Sequence, residues 1–256
     1  MKTVILLFCF LHFCSSGRAE STSFVVGVED LSYYPLFDFG RGGESYTKEL
    51  LDEFGRQYDY KLTYLPLPIK RFDRWLLDDQ IDFKYPDNAR WYPNNKAPES
   101  FIFSNSTVRL VAGTITPVNK EYTRKNLKVL GTLLGFYPTQ WVDQIKNKEV
   151  TLFESSSTLV LLQQVLRGQV DGVDIEPSVV AHYLSVIGKP GALQINKNFS
   201  YEVYDYFLST IKHQNVIEEF NQFLVKNKPF IEKLRKKYNI FDHRPYEAKS
   251  AQKSPN

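Results

Sequence analysis

Residues 77–87 read Leu-Asp-Asp-Gln-Ile-Asp-Phe-Lys-Tyr-Pro-Asp, and residues 166–176 read Leu-Arg-Gly-Gln-Val-Asp-Gly-Val-Asp-Ile-Glu. Each passage has a helix end, a polar turn, a short strand opening on an acid, and a second acid five residues on. The first acids are Asp82 and Asp171; the second are Asp87 and Glu176. In an open α/β sheet, ligands sit at the carboxyl ends of strands. Two matching strand ends therefore predict two similar lobes facing one cleft.

Outward from these passages the chain repeats a plan. Phe24 to Val28 is a buried strand, Tyr46 to Tyr58 an amphipathic helix with apolar residues at helical spacing, and Lys61 to Leu65 a second strand. A helix carrying Phe72, Trp75 and Leu76 precedes the first copy. The second unit runs as strand 132–136, helix 139–147, strand 150–153 and helix 156–166, then the second copy. This β-α-β-α-β order predicts parallel sheets covered by helices. Two long strands, 108–116 and 203–211, bracket the second unit, as they would if the chain crossed to a second lobe and returned. The expected division is a first lobe over 20–112, a second over 113–206, a return over 207–242, and an unstructured tail over 243–256. A single doubly wound sheet is the alternative.

The first nineteen residues have the form of an export signal. Lys2 supplies a charged start, Val4 to Phe13 are nearly all apolar, and Gly17-Arg18-Ala19 fits a cleavage site. The apolar run is too short to span a bilayer. Both cysteines, Cys9 and Cys14, fall inside it, so the exported chain would rely on its core alone. The formal charge of +3 includes Lys2 and Arg18, so the remainder is nearly balanced, and no basic stripe points to nucleic acid. His182, His213 and His243 lack metal spacing, and there is neither a phosphate loop nor a Gly-x-Ser-x-Gly turn. No cofactor is expected.

The chain resembles the periplasmic solute-binding proteins of family 3, which bind amino acids for ABC importers. The resemblance spans residues 24–241. It rests on Tyr33-Tyr34-Pro35-Leu36-Phe37 after the first strand, Ile81-Asp82, Phe103-Ser104, Gly135-Phe136-Tyr137-Pro138-Thr139, Gly168-Gln169-Val170-Asp171-Gly172-Val173, and Phe220-Asn221 with Lys237-Tyr238-Asn239-Ile240. It implies the type II fold, an α/β architecture of two lobes joined by two crossing strands with a ligand cleft between them. It also implies a monomer that closes on a small ligand in the periplasm and hands it to a membrane permease. Members grip an amino acid with an arginine on the carboxylate and an acid on the amine; Glu176 falls at the acid's position and Thr139 at a carboxylate-binding turn. The chain departs from the pattern where Pro138 replaces a glycine and where Tyr85-Pro86-Asp87-Asn88-Ala89-Arg90-Trp91 replaces a turn of small residues.

The candidate ligand-binding residues are therefore Tyr34, Arg71, Asp87, Asn88, Arg90, Trp91, Thr139 and Glu176. Arg90 or Arg71 offers a planar fork for a carboxylate, and Tyr34 and Trp91 offer aromatic walls. Glu176 grips an amine or caps the helix that begins at Pro177. Asp82 and Asp171 hold strand starts, and Asp174 lies on the outer face. The expected function is capture of an amino acid or related zwitterion without turnover. A dehydratase-like enzyme and a sensor with a degenerate cleft are the alternatives.

Overall fold

The computed structural model describes residues 21–39, 43–77, 80–92 and 96–250. The expected export signal lies outside the described residues. The first half contains β1 (Thr22–Glu29), α1 (Tyr46–Tyr58), β2 (Tyr60–Leu67), β3 (Phe83–Asp87) and the short β4 (Ile102–Phe103). The long β5 (Val108–Pro117) leads to β6 (Val129–Leu133), α2 (Val142–Lys146), β7 (Thr151–Ser155), α3 (Thr158–Leu166), β8 (Gly172–Asp174), α4 (Pro177–Val186) and β9 (Leu193–Ile195). The equally long β10 (Tyr201–Thr210) returns, followed by α5 (Gln214–Lys226), α6 (Lys228–Lys237) and α7 (Arg244–Ser250).

The strand order is β2-β1-β3-β10-β5-β8-β6-β7. Its two ends mirror each other. In β2-β1-β3 the strands are parallel and β10 joins antiparallel; in β7-β6-β8 they are parallel and β5 joins antiparallel. Between the two lobes, Tyr201–Tyr206 pairs with Val108–Gly113 as an antiparallel ladder, so the crossing strands are hydrogen-bonded to each other.

The repeated passage sets this arrangement in atomic detail. Asp82 accepts the Val25 N–H at 2.8 Å, and Asp171 accepts those of Lys128 and Val129 at 2.8 and 2.9 Å. Each acid thus anchors the backbone of the neighbouring parallel strand, Asp171 at the start of β6 as expected and Asp82 at the fourth residue of β1. Two residues further on, each secured strand carries a glycine. A Cβ on Gly27 would lie 2.7 Å from Ile81, and one on Gly131 would lie 3.1 Å from Val170. Val25, Gly27, Ile81 and Asp82 in one lobe therefore match Val129, Gly131, Val170 and Asp171 in the other.

Other elements shift from expectation. The stretch carrying Phe72, Trp75 and Leu76 is a 3₁₀ segment, Ile69–Leu77, broken at Arg71, whose φ and ψ are −114° and 16°. The segment's first turn is closed by the Arg71 N–H on the Pro68 carbonyl at 3.1 Å. The expected tail instead begins with α7: Tyr246 packs edge-on to Tyr201 at 4.9 Å, and Glu247 pairs with Arg109 at 3.1 Å. These contacts tie the C-terminal segment to the crossing ladder.

Candidate functional site

A cleft of about 1080 Å³ lies where β1, β8 and the crossing strands meet the loops of both lobes. It slightly exceeds the roughly 1,000 Å³ upper range of small-molecule pockets. Its floor is one face of β10, where side chains alternate. Glu202, Tyr204 and Tyr206 point to the cleft, and all three line it. Tyr204 and Tyr206 meet edge-to-face at 5.6 Å, and Trp91 stands against Tyr206 at 5.5 Å. Tyr33 and Phe136, one from each lobe, meet at 5.4 Å.

The lobes touch around the cleft. The Glu176 N–H donates to the Tyr33 hydroxyl at 2.8 Å, Ser32 and Tyr183 share a hydrogen bond at 3.1 Å, and a Cβ on Gly135 would lie 3.1 Å from Ile69. Arg90 donates to one Glu202 oxygen at 2.8 Å while Thr139 donates to the other at 3.2 Å. Glu202 thus joins a loop of each lobe to the crossing strand.

Of the residues expected at the site, Asn88, Arg90, Trp91, Thr139 and Glu176 line the cleft, and Tyr34, Arg71 and Asp87 do not. The Tyr34 ring packs on His182 at 4.3 Å. Arg71 is exposed, and its neighbour Lys70 takes the place on the rim. Asp87 is wholly buried, behind the cleft-lining Tyr92 that donates to it. It accepts from Ser209 at 2.5 Å, Tyr92 at 2.9 Å and the Asn88 N–H at 2.7 Å, and pairs with the buried Lys84 at 3.5 Å. Phe72 holds the same ammonium over its ring, 3.2 Å from the centroid. The mate of Glu176 is therefore part of a polar core, and its cleft-lining counterpart is the next residue. Asn88 caps the 3₁₀ turn Ala89–Trp91 by accepting the Arg90 N–H at 2.9 Å.

Glu176 combines the two roles left open by the sequence. It lines the cleft and caps α4, accepting the N–H of Ser178 at 2.6 Å and of Val179 at 3.2 Å, with the Ser178 hydroxyl on its other oxygen at 3.0 Å. Burial pushes its carboxyl up to about 7 despite these bonds. Asp174 corrects another expectation: it faces the cleft instead of the outside, and burial together with the Glu202 charge raises it to about 7. Asp174 is the last residue of the three-residue β8.

The sequence reading missed Glu29. It closes β1, lines the cleft and is 4% exposed, and its Oε2 has no hydrogen-bond partner among the described residues. Desolvation lifts its carboxyl to about 8, against the pull of Lys84. Carboxylates are rarely buried without a partner. The rule that draws attention to strand ends applies to Glu29 as much as to Glu176. The period-two alternation of Glu202, Tyr204 and Tyr206 is likewise visible in the sequence once β10 is placed.

No protein-family model matches the sequence, and no curated protein matches it. Solved structures do match. An ancestral arginine-binding protein bound to arginine superposes with a TM-score of 0.67 at 16% identity, over 86% of this chain and 99% of that one. A substrate-binding protein of an ABC uptake transporter from Streptococcus pneumoniae, with bound histidine, gives 0.65 at 18% identity, over 84% and 92%. An ancestral amino-acid-binding protein, described as a precursor of cyclohexadienyl dehydratase, gives 0.64 at 18% identity, over 84% and 95%. The likeness establishes the fold: the chain has the two-lobed type II architecture of periplasmic binding proteins.

Proposed function

We propose that this chain is an exported solute-binding protein that captures a small, amine-bearing polar ligand, the class that includes amino acids, by hinge closure between its lobes. The carrying observation is the buried, unpartnered Glu29 carboxylate in the wall of a cleft that both lobes contact. A cationic group placed there restores the charge form that burial penalises. The charged start and apolar run of residues 1–19 support export to the periplasm, and the likeness to ABC-transporter binding proteins supports delivery to a membrane permease. We place the lobe crossings at 112/113 and 206/207, within the ladder between β5 and β10. The hinge would flex there.

We read the cleft as binding its ligand without turnover. Both oxygens of Glu176, the carboxyl that a dehydratase-like reaction would use to move protons, are occupied in capping α4. The test is a thermal-shift panel of amino acids and polyamines, followed by calorimetry on any ligand that stabilises. A rise in melting temperature and a compaction by small-angle scattering with the same ligand support the reading; no shift with any of them refutes it.

A further inference from the structure

We propose that the ligand of this cleft is a linear amine with at least two cationic centres and no carboxylate, held at one end by Glu29 and at the other by Asp174. This deepens the binding-protein reading above and rests on it.

The geometry points to two acid stations. Glu29 closes β1 on the first lobe and Asp174 closes β8 on the second. Neither carboxylate makes a hydrogen bond or an ion pair among the described residues, and the Glu29 Oε2 is buried. Glu29 follows Val28, which pairs with Tyr85 two residues before the Asp87–Phe207 pair, whereas Asp174 pairs with Thr114, next to the Gly113–Tyr201 pair at the other end of β10. The stations therefore flank the tyrosine floor. Glu202 to Tyr206 is four residues along an antiparallel strand, roughly 13 Å of rise. Between the stations the walls are aromatic: Trp91 against Tyr206, and Phe72 against Trp91 at 5.5 Å. Such faces accept methylene chains and attract ammonium groups.

The cleft is poorly supplied with groups for a carboxylate. Its charged lining is Glu29, Asp174, Glu176 and Glu202 against Lys70 and Arg90. Arg90 is already bonded to Glu202, and the Thr139 hydroxyl points to that same acid. Pro138 has no N–H to offer at the turn where a carboxylate would be held. A zwitterion drawn to Arg90 would break the Arg90–Glu202 pair and leave Glu202 without its cation, and the one other cation of the lining among the described residues is Lys70 on the rim. A carboxylate-free diamine or triamine leaves that pair intact and neutralises both stations.

The experiment uses ligand pairs that differ only in the carboxylate: agmatine against arginine and cadaverine against lysine, with spermidine and glutamine alongside, titrated calorimetrically at physiological ionic strength. We expect each amine to bind at least tenfold more tightly than its parent amino acid, and spermidine to bind most tightly. We expect Glu29→Gln and Asp174→Asn each to weaken spermidine at least tenfold. Because Glu29 makes no hydrogen bond or ion pair among the described residues, the melting temperature of Glu29→Gln without ligand should gain on that of the parent as pH rises from 5 to 8, which separates a binding role from a structural one. Tighter binding of the parent amino acids, or of glutamine, overturns the inference and leaves the binding-protein reading standing. Unchanged spermidine affinity in either variant also overturns it. Absence of binding by every compound defeats both.

Discussion

Replacing Glu29 with glutamine should stabilise the ligand-free protein, by an amount that grows with pH. The carboxyl ordinarily titrates at 4.5, and burial holds it at about 8 in the folded chain. Below pH 4.5 both states carry the proton, and the group is neutral to stability. Between 4.5 and 8 the unfolded chain releases a proton that the folded chain keeps, so stability falls as pH rises, at about 1.4 kcal/mol per unit. Above 8 the loss levels off. The difference between the two values corresponds to a cost of about 3 kcal/mol at pH 7 and about 5 kcal/mol at pH 9, a sizeable share of the roughly 5–15 kcal/mol that holds a domain together. Glutamine keeps the shape and removes the titration. Its own buried amide adds a pH-independent offset, so the informative quantity is the slope of the difference. Urea denaturation of both proteins from pH 4 to 9 should give curves that separate between pH 4.5 and 8 and run parallel elsewhere. Curves parallel across the whole range would refute the assignment of Glu29 as an uncompensated buried acid.

Four further outcomes follow from the same geometry. Asp87→Ala strands the Lys84 ammonium in the core and should cost about 3–5 kcal/mol, measurable by chemical denaturation; adding Lys84→Met should recover most of it. Asp171→Ala frees two backbone N–H groups at the start of β6 and should cost about 2–3 kcal/mol, read the same way. Trp91 lines the cleft at 37% exposure, whereas Trp75 and Trp141 are buried, so ligand should change the tryptophan fluorescence and Trp91→Phe should abolish that change. Finally, a cationic ligand draws the Glu29, Asp174 and Glu176 carboxyls down from about 8, 7 and 7. Binding at pH 6 should therefore release protons, detected by calorimetry in buffers of different ionisation enthalpy, and affinity should climb from pH 5 to pH 8 and then flatten.

The architecture was legible because it is written in local terms and written twice. An apolar residue, an acid and a strand make the same two contacts in each lobe: the acid on the backbone of the next strand, the apolar side chain over its glycine. Ile81-Asp82 and Val170-Asp171 suffice to announce them. The crossing strands were legible because their length stands out against the short strands around them. The 3₁₀ segment after Pro68 and the helix at Arg244–Ser250 were less so. The first turns on one backbone conformation, at Arg71, that apolar spacing does not encode, and the second on docking against Tyr201 and Arg109, partners far away in the sequence.

The cleft was half legible for a different reason. The residue types that bind and the residue types that hold a fold together are the same, and only their partners separate them. Asp87 and Glu176 occupy matching positions in the repeat, yet Asp87 gained Lys84, Tyr92 and Ser209 and became core, while Glu176 gained a helix N-terminus and stayed in the wall. Arg90 is the residue type that grips carboxylates, but Glu202, more than a hundred positions away, supplies one from within the chain. Glu29 is the converse: an ordinary acid at a strand end until folding surrounds it with Tyr33, Tyr85 and Tyr206 and gives its Oε2 no donor. Its significance lies in an interaction the chain does not make with itself. Holding Glu29 protonated where the unfolded chain would ionise, about 3 kcal/mol at neutral pH by the titration above, is a standing cost in the empty protein. A bound cation cancels it, so the destabilisation predicted for the ligand-free state is the same free energy that the cleft returns on binding.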